Sequence, residues 1–288
     1  MEVFRALAAL AEPPDRAGVE RLAAALGLEP LPAASEHTEV FVFQLAPYAS
    51  VYLGGEGMLG GEARDRVAGF WRALGQAPPA EADHLTLMLA LYARLSEFEA
   101  GEEDAGARRA GWRRARRAFL WEHLLSWLPV YLDKLSEVAP PFYRRWGELL
   151  AGALAEEAQT LGPQDELPLH LREAPALAVD PREHAGEDFL QTLLAPARSG
   201  MILTRADLGR GARTLGISLR AGERKFVLKA LLNQDARGVF GWLAEEAASW
   251  SRRHHSRRAA HGAVAAWWEQ RAATTATLLR ELKAELNG

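Results

Sequence analysis

His84 follows Asp83 at the head of an apolar stretch, Glu81-Ala-Asp-His-Leu85, and His123 stands four residues before Trp127 in Phe119-Leu-Trp-Glu-His-Leu-Leu-Ser-Trp-Leu-Pro129. An imidazole next to a carboxylate is the raw material of a general base. Neither histidine comes with a nucleophile, a metal-ligand set or a glycine-rich phosphate loop, so covalent or metal-assisted chemistry lacks its other half. The same groups suit a surface that grips a polypeptide, with carboxylates for guanidinium groups and large aromatics as anchors. No catalytic residue and no resident cofactor are expected.

Each segment also has a plainer reading. Asp83 is placed to cap a helix beside a core-edge histidine, with His84, Met88, Leu91, Leu95 and Phe98 as one buried stripe. His123 could take the carbonyl that Pro129 frees one turn back, near Leu125. The alternative makes Asp83 and His84 the rim of a peptide groove, and the Pro129 kink, His123 and Trp127 the lining of a pocket.

The elements that must position these residues are helices. Ala and Leu abound while Ile, Thr and Val are scarce, and no alternating run is long enough for a sheet. Glycine and proline punctuation predicts helices over 2–11, 16–27, 62–74, 82–98, 107–137 with a kink at Pro129, 141–160, 187–195, 205–215, 220–232, 236–250 and 251–286. The expected fold is an all-α bundle of about ten to twelve helices. Residues 162–186, with Pro163, Pro168, Pro175 and Pro181, are the expected hinge or long loop. The acidic run Glu97, Glu99, Glu102, Glu103 and Asp104 reads as a solvated connector.

At 288 residues, 49% hydrophobic and 25% charged, the chain can bury a substantial core in one or two domains. A formal net charge of −4 gives no general bias towards nucleic acid or anionic membrane. The chain has no cysteine, which excludes disulfides, thiolate nucleophiles and cysteine-ligated metals. The acidic Met1-Glu-Val-Phe-Arg5 opening does not resemble a signal peptide, and the most apolar stretch, 118–132, is too short to span a bilayer. A cytoplasmic location is expected.

Several segments, in order, resemble the TorD/DmsD/NarJ family of redox-enzyme maturation chaperones. They are Phe4 to Leu28 broken by Pro-Pro-Asp, Pro47-Tyr-Ala-Ser-Val-Tyr52 with its glycine turn, Val67 to Gly75, Glu81-Ala-Asp-His-Leu85, and Phe119…His123-Leu124…Trp127…Pro129. Weaker similarity runs through Asp188-Phe-Leu190, Pro196-Ala-Arg-Ser-Gly200 and Gly222-Glu-Arg224 to about residue 250. The resemblance implies a TorD-like helical domain over 1–250, with 251–288 as a C-terminal helical extension. It implies a chaperone that binds the twin-arginine signal peptide of an apo-molybdopterin oxidoreductase subunit and holds the enzyme until its cofactor is inserted. The family's functional positions fall on Asp83, His84, His123 and Trp127, with Tyr48, Ser50, Tyr52 and Trp71 as a supporting wall. On physical grounds Glu81 and Asp83 would meet the arginines, while Tyr48, Trp71 and Trp127 would meet the apolar part. A homodimer is compatible with this role.

The rival reading is a helix–turn–helix DNA-binding regulator over 204–232, where seven Lys/Arg face Asp207 and Glu223. Phe226, Val227, Leu228, Leu231 and Leu232 look like core, which leaves few side chains to read bases. In the tail, His254, His255 and His261 do not make a metal set, and Arg252–Arg258 reads as a solvated basic surface. Trp267-Trp268 is expected to pack against the body or a second subunit.

Overall fold

The computed structural model describes residues 2–102, 106–164, 166–175, 180–182 and 186–286. Glu103 and Asp104 of the acidic run, and parts of the expected 162–186 hinge, lie outside the described residues. The fold is all-α, as expected. Among the described residues there are fifteen α-helices and two π-helical turns. None of these helices is long and apolar enough to cross a membrane.

The chain forms two compact units, one of residues 1–50 and 59–170, the other of residues 51–58 and 171–288. In the first unit, α1 (Glu2–Leu10) and α2 (Val19–Ala25) flank the Pro13-Pro14 break. Then come α3 (Ala34–Thr38), a π-turn (Glu39–Gln44) and α4 (Ala49–Leu53), in which the chain passes from one unit to the other. The helices α5 (Gly61–Ala73), α6 (Leu85–Gly101), α7 (Ala107–Phe119), α8 (Leu128–Val138) and α9 (Pro141–Leu161) complete the unit.

Its core is built where α1, α6 and α9 meet. Phe4 and Leu7 are buried, the Phe4 ring stands edge-on to Tyr92 at 4.9 Å, and Trp146 donates its indole N–H to Leu7 O at 2.9 Å. Helix α7 carries six arginines, of which Arg116 is buried, and the structure explains that one. Arg116, 5% exposed, pairs with Glu99 at 2.9 Å and with Glu157 at 3.4 Å, and Tyr92 donates its hydroxyl to Glu157. Charges so enclosed persist only when paired and hydrogen-bonded.

The expected kinked helix over 107–137 is not continuous. After Phe119 the backbone widens into a π-turn, Leu120–Leu124, closed by Leu125 N to Leu120 O at 2.8 Å. Trp127 then leaves helical geometry (φ −141, ψ −33), and α8 starts afresh with Pro129 in its first turn. Proline is tolerated there because that N–H has no partner within the helix anyway.

In the second unit, α10 (Leu169–Arg172) brings the chain in, followed by α11 (Gly186–Leu194), α12 (Pro196–Ser199) and α13 (Arg205–Leu215). Two long helices then pack along each other, α14 (Arg224–Ser256) and α15 (Arg258–Glu285). His254 faces Trp268 and Gly241 faces Lys283, so the two run antiparallel. The break expected between 232 and 236 is present at Asp235 (φ −152, ψ 81), whose Oδ1 accepts from Gly238 N at 2.8 Å and caps the resumed helix. The single helix expected over 251–286 is corrected: it stops at Ser256, resumes at Arg258 and breaks again at Gly262 (φ 50). Trp268 is 1% exposed, and Trp267 stacks against the Arg271 guanidinium at 4.5 Å.

Candidate functional site

The structure brings Tyr48, Ser50, Glu81, Asp83 and His84 together on the first unit. The chain segments 47–50 and 83–85 meet in an isolated antiparallel bridge between Tyr48 and His84. Ala49 N donates to Asp83 O at 3.0 Å, and Leu85 N donates to Pro47 O at 2.8 Å. Asp83 adds a side-chain tie: its buried Oδ2 accepts from Ser50 N at 3.0 Å. Ser50 in turn accepts from Gly60 N through its hydroxyl at 3.0 Å. Asp83 and Ser50, 1% and 0% exposed, therefore fasten the two segments to each other and are not themselves a docking surface.

The expected N-cap role passes to the neighbour. His84 is the cap of α6, its Nδ1 accepting from Thr86 N at 3.3 Å. Asp83 is displaced from that position because its carboxylate is already committed across the bridge to Ser50.

The fastening leaves two rings at the surface. Tyr48 and His84 are half-buried and stand edge to face, 4.8 Å between centroids and 75° between planes. Exposed Glu81 hydrogen-bonds Tyr48, and burial together with the Glu81, Asp83 and Glu12 charges pushes the phenol up to about 12. For His84, burial lowers the pKa while Glu12, Glu81 and Asp83 pull it back up, with a smaller push down from His37. A neutral imidazole and a neutral phenol thus sit in a field of carboxylates. Such a notch offers flat faces and negative charge to a guanidinium group. Glu12 is the member that sequence reasoning misses. It comes from the turn after α1, where it also pairs with Arg16 at 3.1 Å, and no local pattern ties it to residues 72 positions later.

His123 and Trp127 occupy a different setting. His123 is enclosed by Phe70, Phe119 and His170, with centroids 5.5, 5.1 and 5.3 Å away. Its Nδ1 lies 3.2 Å from His170 Nε2, so one ring donates and the other accepts. This replaces the expected bond to a carbonyl near Leu125. Burial first, then His170 and Arg66, holds His123 well below the usual imidazole range, and burial with Arg66 takes His170 down to about 3.

Trp127 is 0% exposed, donates its indole N–H to His123 O at 2.9 Å, and packs edge-on to Tyr131 at 5.3 Å. The expected pocket lined by His123 and Trp127 is therefore core packing in this conformation. The π-turn also clasps the segment that follows α9. Trp121 donates to Gly162 O at 3.0 Å, and Glu122 accepts from Gln164 Nε2 at 2.6 Å and Leu169 N at 2.7 Å.

Trp71 lies half-buried on α5, its indole N–H buried and without a hydrogen-bond partner among the described residues. Tyr52 belongs to the second unit, 2% exposed, where burial raises its pKa against the opposing charge of Arg224. Among the described residues no group of three His, Cys, Asp or Glu side chains is placed to hold a metal ion. The tail histidines have other duties: His254 Nε2 is 2.9 Å from Gly200 O, and His255 Nδ1 is 3.2 Å from Glu269.

Residues 10–133 match the family model described as nitrate reductase delta subunit. The chain is also similar to chaperone protein TorD of Vibrio vulnificus (strain CMCP6), 35% identical over 99 residues. That similarity covers 32% of this chain and 44% of the relative. No solved structure matches. The matched stretch, less than half of the chain, contains the whole Tyr48–His84 bridge, Asp83, His123 and Trp127, and over residues 10–133 the chain is similar to the nitrate reductase delta subunit family.

Proposed function

We propose that this protein is a maturation chaperone for a redox enzyme, acting in the cytoplasm and catalysing no reaction of its own. Its client is the apo-form of a molybdopterin oxidoreductase subunit. The chaperone binds the twin-arginine leader at the client's N-terminus and holds the subunit until its cofactor is in place. The observation that supports this best is the Tyr48–His84 ring pair, set among Glu81, Glu12 and the buried Asp83. A leader peptide presents guanidinium groups next to an apolar run. The first can lie on these rings and pair with Glu81, since planar cations favour aromatic faces and carboxylates together.

In this reading Asp83 and Ser50 hold the two chain segments in register, and His123 with Trp127 stiffens the π-turn beneath α8. Glu81, Tyr48 and His84 make the contact. Titration of the intact protein with a synthetic peptide that joins two arginines to an apolar stretch tests this. Binding should weaken by about tenfold in Glu81→Gln with Tyr48→Ala, roughly the value of one charge-assisted contact. It should weaken similarly when lysines replace the arginines. Equal affinity for all three pairings would overturn the site.

A further inference from the structure

The stretch that suggested a helix–turn–helix, 204–232, takes no part in the Tyr48–His84 notch, and the second unit presents it in an unexpected way. Residues 216–223 join α13 to α14 as a loop held at two points, with a third tie just beyond it at the start of α14. Ser218 and Gln234 exchange two hydrogen bonds, Ser218 N to Oε1 at 3.0 Å and Nε2 to Ser218 O at 2.9 Å. Arg205 donates to Gly222 O at 2.6 Å, and Arg224, at the start of α14, donates to Leu203 O at 2.8 Å.

Against this fixed loop Phe226 is left 52% exposed, its ring lying over Gly222, where an added Cβ would come within 2.7 Å of it. Leu219 is also 52% exposed. Between the loop and α14 runs a groove of about 480 Å³ lined by Arg220, Phe226, Lys229, Ala230, Asn233 and Gln234. Its lining holds two cations and no carboxylate, and residues 216–234 as a whole hold Arg220, Arg224, Lys225 and Lys229 against Glu223 alone.

We propose that this groove docks an acidic, amphipathic segment of a partner polypeptide. An apolar side chain enters beside Phe226 and Ala230, and flanking carboxylates meet Arg220 and Lys229. The charge of the rim selects the sign of the partner, and the pre-held aromatic wall supplies the anchor. Duplex DNA fits less well. Val227, Leu228 and Leu231 of the would-be recognition helix are buried and cannot read bases, and a phosphate backbone meeting the rim cations would leave the apolar floor of Phe226 and Ala230 unfilled. This surface is independent of the leader site, which lies on the other unit.

Selection of a displayed library of random short peptides on the full-length protein tests the assignment. Peptides carrying an apolar residue flanked by Asp or Glu should be enriched. The best of them should bind about tenfold more weakly to Phe226→Ala with Arg220→Glu, and likewise to Lys229→Glu, with unchanged circular dichroism. Absence of any acidic–apolar peptide from the selected pool would overturn the proposal. So would unchanged affinity in both variants, or displacement of the bound peptide by random-sequence duplex DNA.

Discussion

At the scale of single residues, His84 stands apart from the pair His123 and His170. His84 is half-buried among carboxylates, while His123 and His170 are closed into one neutral pair with their pKa values pushed down. The sign of the consequence is fixed. Unfolded, each of the pair takes up a proton near its ordinary value of about 6.5. Folded, neither does until the pH has fallen much further. The stability they contribute is therefore complete above about pH 6.5 and declines as the pH drops towards 3. For His170 alone the loss by pH 5 amounts to about 2 kcal/mol, at 1.36 kcal/mol per pH unit. His170→Gln, which can still hydrogen-bond His123, should show a smaller fall in thermal midpoint between pH 7 and pH 5 than the native chain. Equal falls would show that His170 is protonated in the fold. None of this pairing is legible in the sequence, because 47 residues separate the partners. A buried histidine can be foreseen at 123; its bond to another histidine cannot.

At the scale of elements, helix ends marked by glycine or proline are readable, as at Gly75 after α5 and Pro141 at the start of α9. Elements stated only by a tertiary contact are not. The Tyr48–His84 bridge is two residues long, has no period, and joins segments 36 residues apart, so neither its existence nor the shift of the α6 cap from Asp83 to His84 leaves a local trace. The π-turn at Leu120–Leu124 hides for the opposite reason: its apolar residues continue the helical pattern on both sides, and only the i to i−5 bond reveals the wider turn. Sequence reasoning misplaces Trp127 as a result, since a continuous helix would turn it differently. Gly200 shows how tightly helices approach in the second unit. It ends α12 at φ 73, and an added Cβ would lie 2.2 Å from Ala272 N and 2.7 Å from Arg271 C, backbone atoms of α15. Gly200→Ala should therefore destabilise by about 2 kcal/mol or more, the left-handed penalty plus the forced separation of α12 from α15. A thermal midpoint within about a degree of the native value would refute that packing, since a change of this size moves the midpoint by several degrees.

At the scale of the molecule, two compact units divide the proposed work. The first carries the family match and the Tyr48–His84 notch, and the second carries the basic groove beside Phe226. The extension expected over 251–288 supplies the end of α14 and all of α15 to the second unit, so that unit's core depends on it. The central claim concerns the first unit, and the most direct measurement is site-specific photo-crosslinking. A photoreactive phenylalanine analogue is placed at exposed Ala80, beside Glu81, and in a second protein at exposed Glu245 of the second unit. Each is irradiated with the labelled twin-arginine peptide. The account predicts a covalent adduct from position 80, suppressed by excess unlabelled peptide, and none from position 245. An adduct from 245 with none from 80 would contradict it.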